Sequence, residues 1–260
     1  MYILYTDETN LERSKEAKFF IYGGIFFPIE RLPELDKEIK KIREEAGYQN
    51  GEEFKFDTRS KPKRISKKNF DNAKNKVLDL CFDKGVQFIA YLVLHKIASE
   101  REKKITFAID HVIGRFNQFL EEAKDYGICI LDRLPDAKYQ FRYIKKKFQH
   151  GLTFDWRSNL KLDRIKSFSL SCIGASNIGS IVDIVMGSFR YCVNNPKNKK
   201  VARYLMKKVI RLMWHLKEGE NVYLLERGLI LRPKRIRHRD YEIEYETLIN
   251  QLNSLLKSND

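Results

Sequence analysis

The sequence predicts an α/β fold in which a mixed sheet is flanked by helices. Two observations predict it. The chain opens with two apolar, strand-like segments separated by a polar stretch, and it then alternates strand-like with helix-like segments. Its 260 residues, of which 43% are hydrophobic, are enough to bury a sizeable core as one large domain or as a domain with an appended subdomain.

The first half of the chain contains four predicted strands and three predicted helices. The first two strands are rich in β-branched and aromatic residues and are expected to be antiparallel neighbours. Gly47 follows the first helix, whereas Ser66 is a favoured N-cap for the second helix and Gly85 ends it. The predicted strands are 2–6, 19–27, 54–56 and 86–94, and the predicted helices are 32–46, 67–82 and 105–123.

The second half continues the alternation and then changes in character. Asp132 ends a predicted strand, and Asp183 is expected in the first turn of a helix that is apolar on almost every side. The last third is basic and mainly helical, so we predict a domain over 1–195 and an extension over 196–260 that packs on it, with a boundary near Pro196. The predicted strands are 126–131, 164–171 and part of 222–231, and the predicted helices are 136–150, 180–193, 199–216 and 241–256.

The chain is strongly basic. It has 50 Lys and Arg residues against 35 Asp and Glu, which gives a formal net charge of +15. Such an excess favours nucleic acid or an anionic surface as a partner, although lysine-rich exposed helices that keep a protein in solution give the same balance. The five histidines show no metal-binding spacing, and the sequence has no phosphate-binding glycine loop or nucleophile elbow. These features disfavour a zinc hydrolase, a P-loop nucleotidase and a serine hydrolase.

The cysteines and the apolar segments bear on location. The cysteines are far apart, lie in apolar segments and form no Cys-x-x-Cys pair, which favours buried, reduced thiols. No apolar run approaches the roughly 20 residues that span a bilayer, and the acidic start of the chain is unlike a signal peptide. We therefore expect a cytoplasmic protein with no membrane partner. The cysteines are Cys81, Cys129, Cys172 and Cys192.

Four carboxylates lie on or beside apolar segments, namely Asp7, Glu53, Asp132 and Asp183. An ionised carboxylate in such surroundings costs free energy unless a cation neutralises it, and a divalent metal that serves a polyanionic substrate would do so. Each carboxylate also has a simpler interpretation. Asp7 is compatible with the start of a turn and Asp132 with a cap. Glu53 is compatible with an exposed ion pair to Lys55, and Asp183 with a structural ion pair.

These carboxylates fall in short motifs that resemble those of domain-of-unknown-function family 3800, a large family of predicted ribonuclease H-like nucleases. The motifs occur in the family's order and span roughly residues 1–195. Thr9-Asn10 replaces the usual Ser-Gly and Ser180 replaces a common Gln, but neither departure removes a carboxylate. The matching elements are Asp7-Glu8-Thr9, the paired glycines in Tyr22-Gly23-Gly24, Glu53-Phe54-Lys55, the strand ending in Asp132, and Ser180-Ile181-Val182-Asp183 before Gly187.

The resemblance implies a ribonuclease H-like fold and a four-carboxylate site for Mg²⁺ or Mn²⁺. It implies a nuclease that hydrolyses phosphodiester bonds of DNA or RNA. In this hypothesis Asp7 bridges two metal ions, Glu53 and Asp132 complete the shell of one ion, and Asp183 completes that of the other. Oxygen-rich ligation suits Mg²⁺ and Mn²⁺ better than zinc.

Two neighbouring residues and several basic segments complete the predicted site. Glu8 is expected to orient a metal ligand, and Lys55 to position a phosphate oxygen or balance charge. Basic side chains are expected to contact nucleic acid, although a basic stripe on a helix is equally typical of a solvated face. They are Lys61, Lys63, Arg64, Lys145–Lys147, Lys199, Arg203, Lys207, Arg211 and, in a tail patch, Arg232, Lys234, Arg235, Arg237 and Arg239. The alternative function is a non-catalytic nucleic-acid-binding or assembly module of the same fold.

Overall fold

The structure is a computed structural model, and it describes residues 1–11, 14, 17–98, 101–154, 159–194, 198–219 and 221–256. The strands in these ranges are β1 (Tyr2–Thr9), β2 (Phe19–Pro28), β3 (Gln87–Leu94), β4 (Gly127–Asp132), β5 (Leu152–Thr153), β6 (Asn159–Leu160), β7 (Ile165–Ser171), β8 (Leu216–Glu218), β9 (Asn221–Tyr223) and β10 (Leu229–Arg232). The helices are α1 (Leu32–Ala46), α2 (Lys67–Asp83), α3 (Arg101–Glu122), α4 (Ala137–His150), α5 (Asn177–Val193), α6 (Lys199–Leu212) and α7 (Arg239–Leu256).

Six strands form a mixed central sheet in the order β10-β3-β2-β1-β4-β7. β1, β2 and β3 are successive antiparallel neighbours, and β4 and β7 continue the sheet parallel to β1 on its other side. β10 pairs in parallel with β3. The other strands form two short antiparallel pairs, β5 with β6 and β8 with β9. The predicted α/β class with a mixed sheet flanked by helices is therefore confirmed, as is the antiparallel pairing of the first two strands.

Helices cover both faces of the sheet because successive residues of a strand point to opposite faces. On β1, Ile3 packs in a core cluster with buried residues of α1, α2, α5, α6 and α7, whereas Leu4 packs with buried residues of α3 and α4. α5 contacts β1 and β2 and is buried on nearly every side. This burial accounts for the almost uninterrupted apolar sequence around Asp183.

The paired glycines Gly23 and Gly24 lie in the middle of β2, where neighbouring backbones approach closely. A Cβ atom on Gly24 would overlap the carbonyl oxygen of Tyr5 on β1, and a Cβ atom on Gly23 would overlap the carbonyl oxygen of Ile89 on β3. Both overlapped atoms belong to the main chain, so they cannot move aside as the end of a flexible side chain can. The two glycines are therefore required by the packing of the sheet itself.

The C-terminal segment contributes to the same core and the same sheet. α6 packs on α5, and α7 packs on both helices. β10 adds an edge strand beside β3, so the segment that we expected to be mainly helical also extends the sheet. The predicted boundary near Pro196 lies outside the described residues, and the division into 1–195 and 196–260 stays a prediction.

Residues 54–56 form an extended loop, and the prediction of a strand there is wrong. Phe54 is fully buried and packs against the ring of Tyr48, while Phe56 packs on α5 at Gly187. Two aromatic residues at alternate positions produce a strand-like pattern. Here their rings fill the core between helices, and the backbone between them pairs with no described strand.

Three helices have an end that differs by three or four residues from the prediction, and the first of them, α3, begins at Arg101 and not at residue 105. α5 begins earlier, because the Ser176 hydroxyl accepts a hydrogen bond from the N–H of Gly179 at 3.0 Å and caps the helix. Asp183 consequently lies in the second turn of α5 and not in the first. α6 ends before Met213, because that residue forms a bridge to Phe88 in β3.

The cysteines follow the prediction with one exception. Cys81, Cys129 and Cys192 are buried, free thiols, as expected. Cys172 is also a free thiol but is exposed, because it follows the end of β7 at the edge of the sheet. The prediction that it is buried is wrong. Among the described helices, none combines the length and the apolar character that crossing a bilayer requires.

We expect Gly24→Ala to lower the free energy of unfolding by about 1–3 kcal/mol, the usual cost of overpacking a well-packed interior. Urea denaturation measures the change. Gly174→Ala is the matched control, because a Cβ atom there meets no atom within 4 Å. Equal stabilities of the two variants would contradict the close approach of β1 and β2.

Candidate metal centre

The four predicted carboxylates line one pocket. It is a cavity of about 240 Å³ on the face of the sheet that α5 covers, and Lys55 contributes to the same wall. The four carboxylates come from four separate segments of the chain. The structure therefore brings together residues that the sequence only suggested were related.

Strand pairing places the first two carboxylates side by side. Thr6 on β1 pairs with Leu131 on β4, and the strands are parallel, so Asp7 and Asp132 are the next residues on neighbouring strands. Ligands in α/β sheets bind at this carboxyl edge. Asp183 reaches the same pocket from α5, which crosses β1 and β2.

Three carboxylates form a close group, and two of them, Asp7 and Asp132, line the pocket. One carboxylate oxygen of each of Asp7, Glu8 and Asp132 lies within 4.8 Å of the others. We expected Glu8 to act only as an orienting group, and the structure instead brings it into the group itself. In the part of the chain that the structure describes, Asp183 and Glu53 are not members of this group, although both line the pocket.

Main-chain N–H groups hold one oxygen of each of the three partly buried aspartates. The N–H of Glu8 donates to Asp7 Oδ1 at 2.7 Å. The N–H of Ile173 donates to Asp132 Oδ1 at 3.0 Å, and that of Phe56 donates to Asp183 Oδ1 at 2.6 Å. Within the described residues these hydrogen bonds use the Oδ1 atoms and leave the Oδ2 atoms for another ligand. The carboxylates are thus oriented in the way that metal ligands usually are.

The electrostatics of the pocket favour a cation. Burial, together with the negative charges of Glu8 and Asp132, raises the pKa of Asp7 to about 7. Burial also raises the pKa of Asp183, against the hydrogen bond from Phe56 and the positive charge of Arg190. A divalent cation would stabilise the ionised form of each carboxylate, and an all-oxygen donor set suits Mg²⁺ or Mn²⁺. The residues present therefore fit such a metal.

Glu53 and Lys55 form an ion pair with 2.7 Å between Glu53 Oε2 and Lys55 Nζ. This hydrogen bond raises the pKa of Lys55, and the charges of Asp183 and Asp7 contribute as well. Both side chains are more than a third exposed, so the pair itself adds little stability. The simpler interpretation of Glu53 is thus realised in this structure, and its role as a metal ligand stays a prediction.

The basic residues predicted to contact nucleic acid fall into two sets. Lys61 donates to main-chain carbonyl oxygens of its own loop, and Arg64 pairs with Glu52, so both are engaged within the fold. Arg232 is only 7% exposed, and its assignment to an exposed basic tail patch is wrong because its guanidinium pairs with Glu226. The other exposed members of the predicted set are Lys63, Lys145, Lys146, Lys199, Lys207, Arg211, Lys234, Arg235, Arg237 and Arg239.

Two other members of the basic set are partly buried. Arg203 on α6 is half-buried, so the stripe predicted on that helix is not uniformly exposed. Lys147 lies 2.9 Å from a carboxylate oxygen of Asp110. At the exposed end of the stripe, the Arg211 guanidinium lies 3.5 Å from the centre of the Phe82 ring. Arg203 and Arg211, two of the four basic residues of the α6 stripe, therefore pack against the protein itself.

Sequence reasoning missed Arg190 of α5, and it named Gly187 only as part of a motif, without a structural role. Gly187 leaves the space into which the Phe56 side chain packs, which brings the Phe56 N–H to Asp183. Arg190 lowers the pKa of Asp183 by its charge and donates to Thr9 Oγ1 at 3.1 Å. Both residues follow Asp183 at helical spacings of four and seven positions, so the helical period was a signal that could have found them.

Comparison of this chain with protein-family models and with curated proteins gives no match. The family resemblance therefore stays an expectation, and the function has to be argued from geometry. The geometry offers four carboxylates, a lysine and three orienting main-chain N–H groups around one small cavity.

The raised pKa of Asp7 predicts a pH-dependent stability in the presence of EDTA. An unfolded aspartate has a pKa near 3.9, so between about pH 4 and pH 7 the folded protein retains a proton that the unfolded chain has lost. The free energy of unfolding should therefore fall as the pH rises through this window, by at most about 4 kcal/mol. Denaturation at a series of pH values measures the decline, which Asp7→Asn should reduce.

Asp163→Asn is the control for this experiment, because Asp163 is exposed in the loop before β7. It should show the wild-type dependence on pH. A decline that is the same in the wild-type protein and in Asp7→Asn would mean that burial does not perturb Asp7.

Proposed function

We propose that this protein is a divalent-metal-dependent nuclease with a ribonuclease H-like fold, which hydrolyses phosphodiester bonds of DNA or RNA. The observation that carries the proposal is the convergence of Asp7, Glu53, Asp132 and Asp183 with Lys55 in one cavity. Such a set would be costly to bury unless a cation neutralised it. The mixed sheet flanked by helices is compatible with the proposed fold.

The donor set identifies which residues would hold the metal. Asp7, Glu8 and Asp132 would hold one ion, because their carboxylate oxygens lie within 4.8 Å of one another. Asp183 would contribute from the facing helix. A bound Mg²⁺ or Mn²⁺ supplies two kinds of chemistry to phosphodiester hydrolysis, a lower pKa for a bound water and stabilisation of the leaving oxygen.

The chain's own residues position the substrate and keep the carboxylates ready. Lys55 lies at the wall of the pocket and would bind a phosphate oxygen in exchange for its contact with Glu53. The main-chain N–H groups of Phe56 and Ile173 hold Asp183 and Asp132 in fixed orientations, so little reorganisation is needed when a substrate arrives. The pocket is thus preorganised by backbone contacts.

The remaining charge supports a polyanionic substrate. Lys63, Lys199, Lys207 and Arg211 are exposed, and the chain carries a formal net charge of +15. Contacts from such residues to phosphates would release counterions and make binding sensitive to salt. A cytoplasmic location is part of the proposal, and the free thiols of Cys81 and the other buried cysteines support it.

We expect the wild-type protein to bind Mn²⁺ and Asp183→Asn to bind it roughly 10–100-fold more weakly, since even residues that only support a metal ligand have effects of this size. Calorimetric titration measures both affinities without knowledge of the substrate. Asp163→Asn removes an exposed carboxylate and should bind like the wild type. Equal binding by Asp183→Asn would place the metal elsewhere, and no binding by the wild type would remove the basis of the proposal.

Labelled single-stranded DNA, duplex DNA and RNA test the activity in the presence of Mg²⁺ or Mn²⁺. We expect cleavage of at least one substrate, no cleavage in EDTA, and slower cleavage by Lys55→Gln at an unchanged Mn²⁺ affinity. This split is expected because Lys55 contacts the substrate in the proposal and is not a metal ligand. Lys37→Gln, on the exposed side of α1, is the charge-matched control.

Salt-sensitive binding of nucleic acid that is indifferent to EDTA, with no cleavage of any substrate, would favour the alternative of a non-catalytic nucleic-acid-binding module. That outcome would contradict the proposed hydrolysis.

A further inference from the structure

A second and larger cavity lies on the opposite face of the sheet from the carboxylates. Its volume is about 1010 Å³, at the upper end of the range of roughly 300–1,000 Å³ that is typical of ligand pockets. It is lined by α3, by the ends of β3 and β10, and by Phe154 and Leu160. Since the sheet separates it from Asp7 and Asp183, it is not part of the candidate metal centre.

One wall of this cavity is an aromatic stack. The His111 ring is stacked on Tyr91 on one side and on Phe154 on the other, with ring centres 5.4 Å and 4.8 Å apart. Phe107 meets the same histidine edge-on at 4.7 Å. Phe107 and Phe154 remain 46% and 38% exposed, respectively. Two large aromatic rings thus offer part of their surface to a ligand, beside a histidine that is itself fully packed.

In the adjoining wall, the cationic side chains outnumber the carboxylate that pairs with them. Arg115, Arg232 and Lys234 all pair with one carboxylate, that of Glu226. Three cations on a single carboxylate leave an excess of two positive charges in this group, and two lysines and one glutamate, Lys103, Lys104 and Glu121, also line the cavity. Arg232 is fixed by a further hydrogen bond from its Nε to His111 Nε2 at 3.2 Å, so the charged wall and the aromatic wall are joined.

These two walls define the chemistry of the ligand. An aromatic base stacks on exposed aromatic rings, and a phosphate binds where cations exceed carboxylates. Burial and the charge of Arg232 lower the pKa of His111 to about 3, so the central ring of the stack is neutral at ordinary pH and adds no charge of its own. An uncharged hydrophobic ligand would leave the cationic wall unused, and inorganic phosphate would leave the rings exposed.

We propose that this cavity is a binding site for a nucleoside phosphate, with its base against Phe107 and Phe154 and its phosphate near Arg115 and Lys234. The nucleoside phosphate is either a free nucleotide or one nucleotide of a nucleic acid strand, since both present the same base and phosphate. The proposal does not depend on the proposed nuclease activity, because it uses no residue of the carboxylate pocket.

The test is a calorimetric titration of the protein with AMP in the presence of EDTA. Adenosine, which lacks the phosphate, and ribose 5-phosphate, which lacks the base, are titrated in the same way. We expect AMP to bind more tightly than either fragment. Phe107→Ala should weaken binding of AMP roughly tenfold, within the range measured for base stacking. Lys234→Gln should weaken it and reduce its dependence on salt.

Matched variants control for general effects of the substitutions. Phe141→Ala removes a phenylalanine that is 50% exposed on α4 and outside the cavity. Lys37→Gln removes an exposed lysine on the other face of the sheet. Neither should change binding of AMP, and Asp183→Asn should not change it either. Thermal unfolding verifies that each variant is folded; Phe107 and Lys234 are both exposed, so their replacement should leave the fold intact.

A short single-stranded oligoadenylate distinguishes the two sources of the ligand. Binding of AMP that is weakened in Phe107→Ala and Lys234→Gln supports a free nucleotide as the ligand. If the oligonucleotide binds and AMP does not, and if both variants bind the oligonucleotide more weakly, the ligand is a nucleotide within a strand. The proposal is overturned if neither probe binds, or if both variants bind as tightly as the controls.

Discussion

The mutual repulsion of the partly buried carboxylates at the ends of β1 and β4 is the constraint on which the surrounding structure depends. The parallel register of the two strands places Asp7 beside Asp132, and Glu8 adds a third negative charge. Burial makes each charge more costly. Main-chain N–H groups offset part of this cost, but a hydrogen bond to one oxygen does not neutralise a full charge. A divalent cation would supply the missing charge, and this is why we propose a metal site for the cluster.

The loop between α1 and α2 depends on the same constraint through a single contact. Gly187 has no side chain, so Phe56 can pack directly on α5, and its N–H then reaches Asp183. The loop that is fixed in this way also carries Glu53 and Lys55 to the pocket. The packing of the Phe56 ring and the orientation of the Asp183 carboxylate therefore depend on each other. A larger residue at position 187 would disturb both, although it would touch no carboxylate.

Patterns that are local in sequence predicted most helices and strands. Contacts between residues distant in sequence determine which segments pair and which side chains meet in the pocket. The helical spacing and the Ser66 cap predicted α2 closely, since a cap acts on the turn that follows it. The alternation of Phe54 and Phe56 is typical of a strand, so the sequence predicted one. A local pattern does not reveal whether another strand lies beside the segment, and here none of the described strands does. The four carboxylates were found as separate signals. Their convergence could not be found from local patterns, since it is set by the register of β1 with β4 and by the crossing of α5.

Net charge indicates a class of partner but does not locate where that partner binds. Arg232 contributes to the basic excess as much as Lys207 does, yet one is buried against Glu226 and the other is exposed on a helix. Like charges lie in different environments in the structure. The four carboxylates of the small pocket lie on one face of the sheet, and three cations surround Glu226 on the other face. The two cavities share no lining residue. A cation bound at Asp7 and an anion bound near Arg115 would therefore occupy opposite faces of the sheet, and one chain could hold both.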